Sequence, residues 1–87
     1  MQGNCYICGK YGNIEMHHVW AGSRRKISDK YGAVVPLCHD CHNEPPNGVH
    51  HNKEVRLALQ AEMQQQLMET HGWTVADFIQ VFGKNYL

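Results

Sequence analysis

Four cysteines and seven histidines in 87 residues are the groups with which this chain can do chemistry, because thiolate and imidazole hold transition metals. The cysteines come as two pairs, Cys5-Tyr6-Ile7-Cys8 and Cys38-His39-Asp40-Cys41, with 29 residues between them. A two-residue gap lets one tight turn aim both sulfurs at a point, and two such turns complete a tetrahedral thiolate shell. Gly9 follows the first pair, where the backbone must fold back around the sulfurs. The competing use of four cysteines is disulfide pairing, which three connectivities would allow. Met1 to Asn4 brings neither a basic nor an apolar stretch ahead of Cys5, so the reading expects no secretory leader and a reducing, cytoplasmic compartment. Disulfides do not last there. Cys5, Cys8, Cys38 and Cys41 are therefore expected to hold one structural zinc ion, whose binding energy supplements the small core of so short a chain. Four protein ligands leave no position open for water or substrate, so any reaction falls to the histidines.

Those histidines stand at three informative places: His17-His18, His42 directly after the second cysteine pair, and His50-His51. A lone surface histidine usually has no chemical role, and His39 and His71 are read that way. Clustered around a cysteine knuckle and a basic segment, the remaining ones become candidates for proton transfer or metal binding. The basic segment is Arg24-Arg25-Lys26, with Lys30 nearby. Eight basic residues balance eight acidic ones, which excludes a uniformly basic nucleic-acid coat, so a phosphate-binding surface must be local. No apolar run approaches the roughly 18 residues of a membrane span.

The elements that must position these groups follow from patterning. Ile14 to Trp20 and Ala33 to Leu37 read as strands, with Pro36 placing the second at an edge or ending it. Ala21 to Gly32 reads as a long polar loop with one helical turn at most, and His42 to Gly48 as a second loop. A helix is expected from about His50 to His71, capped by Asn47 or Asn52 and closed by Gly72. Its core stripe is Val55, Leu59, Met63 and Leu67, opposite Glu62, Gln65, Gln66 and Glu69. Thr74-Val75-Ala76-Asp77 is a capping box opening a last helix that ends at Gly83, made amphipathic by Ala76, Phe78, Ile79 and Phe82. Trp20 is read as packing in preference to stacking on a base. Phe78, Ile79, Phe82 and Tyr86 either close over the core or offer a face to a protein partner. The sum is one α+β domain over residues 1–87, with knuckles and a hairpin in 1–47 and helices in 48–87.

Cys5-x-x-Cys8, His17-His18-Val19 and Val34-Val35-Pro36-Leu37-Cys38-x-x-Cys41-His42-Asn43 together resemble the HNH endonucleases, whose fold is the ββα-metal or His-Me finger. The segment from Gly48 to Lys53 and the tail from Phe82 to Leu87 are similar to a small phage-type branch, the nuclease part of phage recombination-enhancement proteins. The resemblance implies a ββα-metal unit with a structural four-cysteine zinc and a C-terminal helical extension. It implies a phage-encoded, metal-dependent endonuclease acting on DNA phosphodiester bonds in the host cytoplasm. His18 would be the general base. His17 would hold a catalytic divalent cation together with His42 or His50, and Arg24, Arg25 and Lys26 would grip DNA. An imidazole set favours Mn²⁺, Ni²⁺, Co²⁺ or Zn²⁺, although the family often works with Mg²⁺. One departure stands out: the family's middle Asn falls on Ala33, so a backbone group near Gly32, or Asn43, Asn47 or Asn52, must brace the loop and orient the base. That departure keeps two further readings open, a non-catalytic zinc-stabilised module binding DNA or protein, and a small interaction protein.

Overall fold

The computed structural model describes residues 1–87 and shows a small α+β molecule with two two-stranded sheets and four helices. The first sheet pairs β1 (Gln2–Asn4) with β2 (Tyr11–Asn13), antiparallel, Gly3 opposite Gly12. Sequence patterning does not announce it, because the strands are three residues long and their outer residues face solvent. It exists to carry the first cysteine pair. Cys5 N–H bonds to the Lys10 carbonyl and Gly9 N–H to the Cys5 carbonyl, with Gly9 at φ +78°. That left-handed turn is one a side chain would strain.

The second sheet pairs β3 (Glu15–His18) with β4 (Val34–Leu37), His17 opposite Val35 and His18 opposite Val34. Both strands are shorter than patterning suggests: beyond them Val19 N–H still bonds to the Ala33 carbonyl, and Trp20 and Ala33 are buried in the core. Pro36 sits inside β4 opposite Met16, and its carbonyl accepts from Tyr6 N–H at 2.7 Å, docking the knuckle onto the sheet edge.

The connection from Ala21 to Gly32 is not the expected loop. A 3-10 turn over Gly22–Arg24 leads into α1 (Arg25–Tyr31), which Gly32 closes at φ +71°. A seven-residue helix has little stability of its own. It is held by Ser28, whose wholly buried hydroxyl donates to the Trp20 carbonyl at 2.7 Å and accepts from Trp20 N–H at 3.2 Å. Likewise the stretch after the second cysteine pair begins as a helix, α2 (His39–Asn43), rather than a loop.

The long helix α3 spans Lys53–His71, starting three residues later than expected. Asn52 caps it by accepting from Val55 N–H, which decides between the two candidate caps, and Gly72 ends it at φ +66°. Leu59, Met63 and Leu67 are buried and Val55 is half-buried, while Glu62, Gln65, Gln66 and Glu69 face water. Gln64 is wholly buried as well: its amide donates to Asn85 Oδ1 and accepts from Tyr86 N–H, which ties the C-terminal tail to α3. Helix α4 (Val75–Phe82) carries the complete Thr74–Asp77 capping box. Phe78 and Phe82 are buried and close with Tyr86 over Trp20, at ring separations of 5.7, 4.5 and 5.4 Å. Trp20 is thus core. Val75 and Ile79 stay exposed, so only one edge of α4 is used in packing. No helix is long and apolar enough to cross a membrane.

Candidate functional site

Two clusters of ligating atoms emerge from this fold, each with all its atoms within 4.8 Å of one another: Cys5, Cys8, Cys38 and Cys41, and His17, His42 and His50. The sulfurs come from the β1–β2 turn and from the start of α2. Sulfurs about 2.3 Å from a tetrahedral zinc lie about 3.8 Å apart. Sγ of Cys8 and Sγ of Cys38 are 3.8 Å apart. Burial raises the Cys5 thiol, but the backbone amides of Cys8, Cys38 and Ile7 outweigh it and bring the group down to about 6. The Cys41 thiol is pushed up by burial and by the three neighbouring sulfurs. Thiolates packed this closely need a shared cation, and the spacing fits zinc.

The histidine cluster is built on β3, α2 and the loop that follows α2. That loop folds back on α2, so that Val49 N–H bonds to the Cys41 carbonyl and His50 N–H to the His42 carbonyl. Gly48 makes the return possible, because a Cβ there would stand 2.8 Å from the Glu44 backbone. His42 and His50 are therefore brought together rather than being alternatives. Their Nε2 atoms lie 3.0 Å apart, and the rings of His17, His42 and His50 are separated by 4.7 to 5.1 Å. Two nitrogens about 2.1 Å from one ion in adjacent octahedral positions lie about 3.0 Å apart.

Chemistry supports the same fit. His17 is 5% exposed, and its Nε2 is buried without a hydrogen-bond partner. Burial, then the neighbouring His42, His50 and His18, hold the His17 imidazole down to about 4, so it is neutral near pH 7 and its lone pair is available. Burial and His42 lower His50 in the same way. His42 gives its Nδ1 to Glu15 Oε1 at 2.8 Å, a contact that fixes Nδ1–H and leaves Nε2 free to ligate. The Glu15 carboxyl is held below the usual range by His42 and then by His39. Glu15 also accepts from Asn43 Nδ2, and His39 bridges Glu15 and Glu44, so His39 belongs to the supporting network and is not an idle surface group.

His18 is the last residue of β3, where the chain turns toward Gly22 at φ +63°. At that strand end the two adjacent histidines escape the usual divergence and line one cleft of about 240 Å³, together with Met16, Arg25, His42 and His50. Of the basic triplet, Arg25 lines the cleft and Lys26 is exposed. Arg24 is half-buried with its guanidinium against Gly83, where a Cβ would stand 2.4 Å away, so it packs on the end of α4.

Of the substitutes expected for the missing amide, backbone groups beside Gly32 do tie the β3–β4 connection, Ala33 N–H bonding to the Ser28 carbonyl and Val19 N–H to the Ala33 carbonyl. Asn43 bonds Glu15 and Asn52 caps α3. Ala33 is wholly buried in the core. The Ser28 hydroxyl adds to that bracing through its two bonds to the Trp20 backbone. Sequence reading also misses Glu15 and Asp29. Glu15 stands two residues before His17 on the same strand, a same-face spacing that could have revealed it. Asp29 stands four residues after Arg25, a spacing that matters only once α1 is known to be helical. Compared with protein-family models, with curated proteins and with solved structures, the chain matches none.

Proposed function

We propose that this chain is a ββα-metal, HNH-type endonuclease that hydrolyses DNA phosphodiester bonds, with β3, β4 and α2 as the ββα unit. The observation that carries the reading is the single cleft lined by His17, His18, Arg25, His42 and His50. Hydrolysis needs a base for water, a cation at the phosphate and a charge against the transition state. His18 takes the proton from water. His17, His42 and His50 hold one divalent cation, Mn²⁺, Ni²⁺ and Zn²⁺ suiting three imidazoles better than Mg²⁺ does. Bound there, such an ion supplies Lewis-acid stabilisation of the phosphate and of the leaving oxygen. Arg25 orients the phosphate from the α1 side, and Lys26 extends the basic surface along the DNA backbone. The four-cysteine centre holds a structural zinc and takes no part in the reaction.

Plasmid nicking with Mg²⁺, Mn²⁺ and Ni²⁺ tests this. His18→Ala is expected to abolish cutting while zinc content and fold persist, and nicking that survives this change refutes the base assignment. Ala33 in place of the family's Asn favours a second reading, a non-catalytic zinc-stabilised module. DNA retention without cleavage under every cation would establish it instead.

A further inference from the structure

A carboxylate stands against the imidazole read as the proton acceptor. Oδ1 of Asp29 lies 2.7 Å from Nε2 of His18. An ionised carboxylate only accepts hydrogen bonds, so the shared proton sits on Nε2 and the lone pair is left on Nδ1. The backbone that delivers this contact is fixed from both sides. Ser28, the residue before Asp29, is wholly buried and bonded to both backbone groups of Trp20, two residues beyond His18. At the other end of α1, Gly32 N–H bonds to the Asp29 carbonyl and Ala33 N–H to the Ser28 carbonyl. The Asp29 side chain is itself 61% exposed and the His18 side chain 19%, so core packing does not account for the pairing. The loop-bracing and base-orienting tasks that one Asn would combine are thereby divided between adjacent residues, Ser28 and Asp29.

We propose that Asp29 is the positioning residue for His18, holding the ring in one orientation as the Nε2–H tautomer so that Nδ1 accepts the proton from water. The inference rests on the reading of His18 as general base given above. An untethered imidazole divides its time between two tautomers and several ring orientations, only one of which can act. Once the proton has moved, the carboxylate also faces an imidazolium that it stabilises. Loss of the contact therefore lowers the rate of the chemical step. It does not weaken substrate binding, since removing a negative charge beside phosphates favours DNA.

The experiment uses the full zinc-loaded chain, labelled with ¹⁵N in its histidines, at about pH 8, above the ordinary imidazole range. Wild-type His18 is expected to give the side-chain pattern of a single Nε2–H tautomer. Asp29→Ala, a helix-compatible change at an exposed position, is expected to disperse that pattern with zinc content and circular dichroism unchanged. In plasmid nicking the same variant is expected to lose kcat by about 10- to 100-fold with KM equal or lower, and Asp29→Glu to recover part of it. Unchanged spectra and kcat in Asp29→Ala overturn the proposal, as does an effect confined to KM. A wild-type chain that cuts nothing with any cation overturns the nuclease reading. The spectra then judge the pairing alone, upheld by a single tautomer that Asp29→Ala disperses and overturned by its persistence.

Discussion

Replacing Ser28 by Ala removes one oxygen from the molecule and with it the two hydrogen bonds that tie α1 to the Trp20 backbone. The hydroxyl is 0% exposed and bonds to two backbone groups of Trp20, itself 3% exposed. In the variant an N–H and a C=O remain buried beside a methyl group. A buried backbone group left without a partner costs about 1–3 kcal/mol. Partial relaxation places the sum at about 2–4 kcal/mol, a large share of the roughly 5–15 kcal/mol that holds a small domain. At about 4–8 °C per kcal/mol for a chain of this size, the midpoint of thermal unfolding should fall by roughly 10–25 °C. Denaturant unfolding with zinc held constant measures the loss, because ligand concentration otherwise shifts the apparent stability. Amide exchange at Trp20 locates it, since the protection of that N–H rests on Ser28. A loss below about 0.5 kcal/mol with Trp20 still protected would refute the claim that this hydroxyl anchors α1.

Three further outcomes are expected. Chelation of the four-cysteine metal under reducing conditions should release one zinc per chain and unfold the molecule, as followed by circular dichroism, and a folded metal-free form would count against a structural role. Glu15→Ala should weaken Ni²⁺ or Mn²⁺ binding at the histidine cleft by about 10- to 100-fold in calorimetry while the zinc stays in place, because His42 loses the contact that fixes its tautomer; equal affinity would sink that account. Arg25→Ala should reduce the slope of log affinity for DNA against log salt by about one, whereas Arg24→Ala, removing a side chain packed on Gly83, should cost stability and leave the slope alone. The reverse assignment would follow if Arg24 changed the slope and Arg25 did not.

Parts of this structure that rest on local chemistry were legible in the chain itself. Two Cys-x-x-Cys turns declare a shared shell because spacing alone aims the sulfurs, and the structure brings all four together. Helix ends were legible for the same reason: Asn52, Gly72, the Thr74–Asp77 box and Gly83 act on backbone groups within a few residues. Three elements were not legible, and each is too short to be specified by its own pattern. Helix α1 is polar throughout apart from Ile27 and Tyr31, and its position depends on a hydroxyl eight residues from its partner. Helix α2 is five residues long, with Cys41 and His42 inside it. The β1–β2 ladder is an outcome of the knuckle turn. Gln64 was hidden by its type, since an amide on a helix face predicts exposure until the tail supplies Asn85 and Tyr86 as partners. In the candidate site the imidazoles were visible as a set, but the carboxylates behind them were not. Glu15 had only its two-residue spacing from His17 to mark it, and Asp29 carries no spacing signal until α1 is placed.

The two clusters are linked through α2, and that link explains why so small a chain places one beside the other. Cys38 is the residue before α2, Cys41 lies within it, and His42 follows directly. Five residues of helix have no stability in isolation, so the orientation of His42 depends on whatever fixes the helix ends. A metal such as zinc on Cys38 and Cys41 fixes one end against the β1–β2 turn. The return loop fixes the other, through Val49 N–H on the Cys41 carbonyl and His50 N–H on the His42 carbonyl. Glu15 then ties His42 to β3, the strand that also supplies His17. Metal binding at a structural site of this kind contributes about 10–16 kcal/mol, far more than a twelve-residue core can spare to hold imidazoles in mutual contact. Coupling between sites is reciprocal, so a cation bridging His17, His42 and His50 must tighten the hold on the sulfur-bound metal by the same factor that it gains from it.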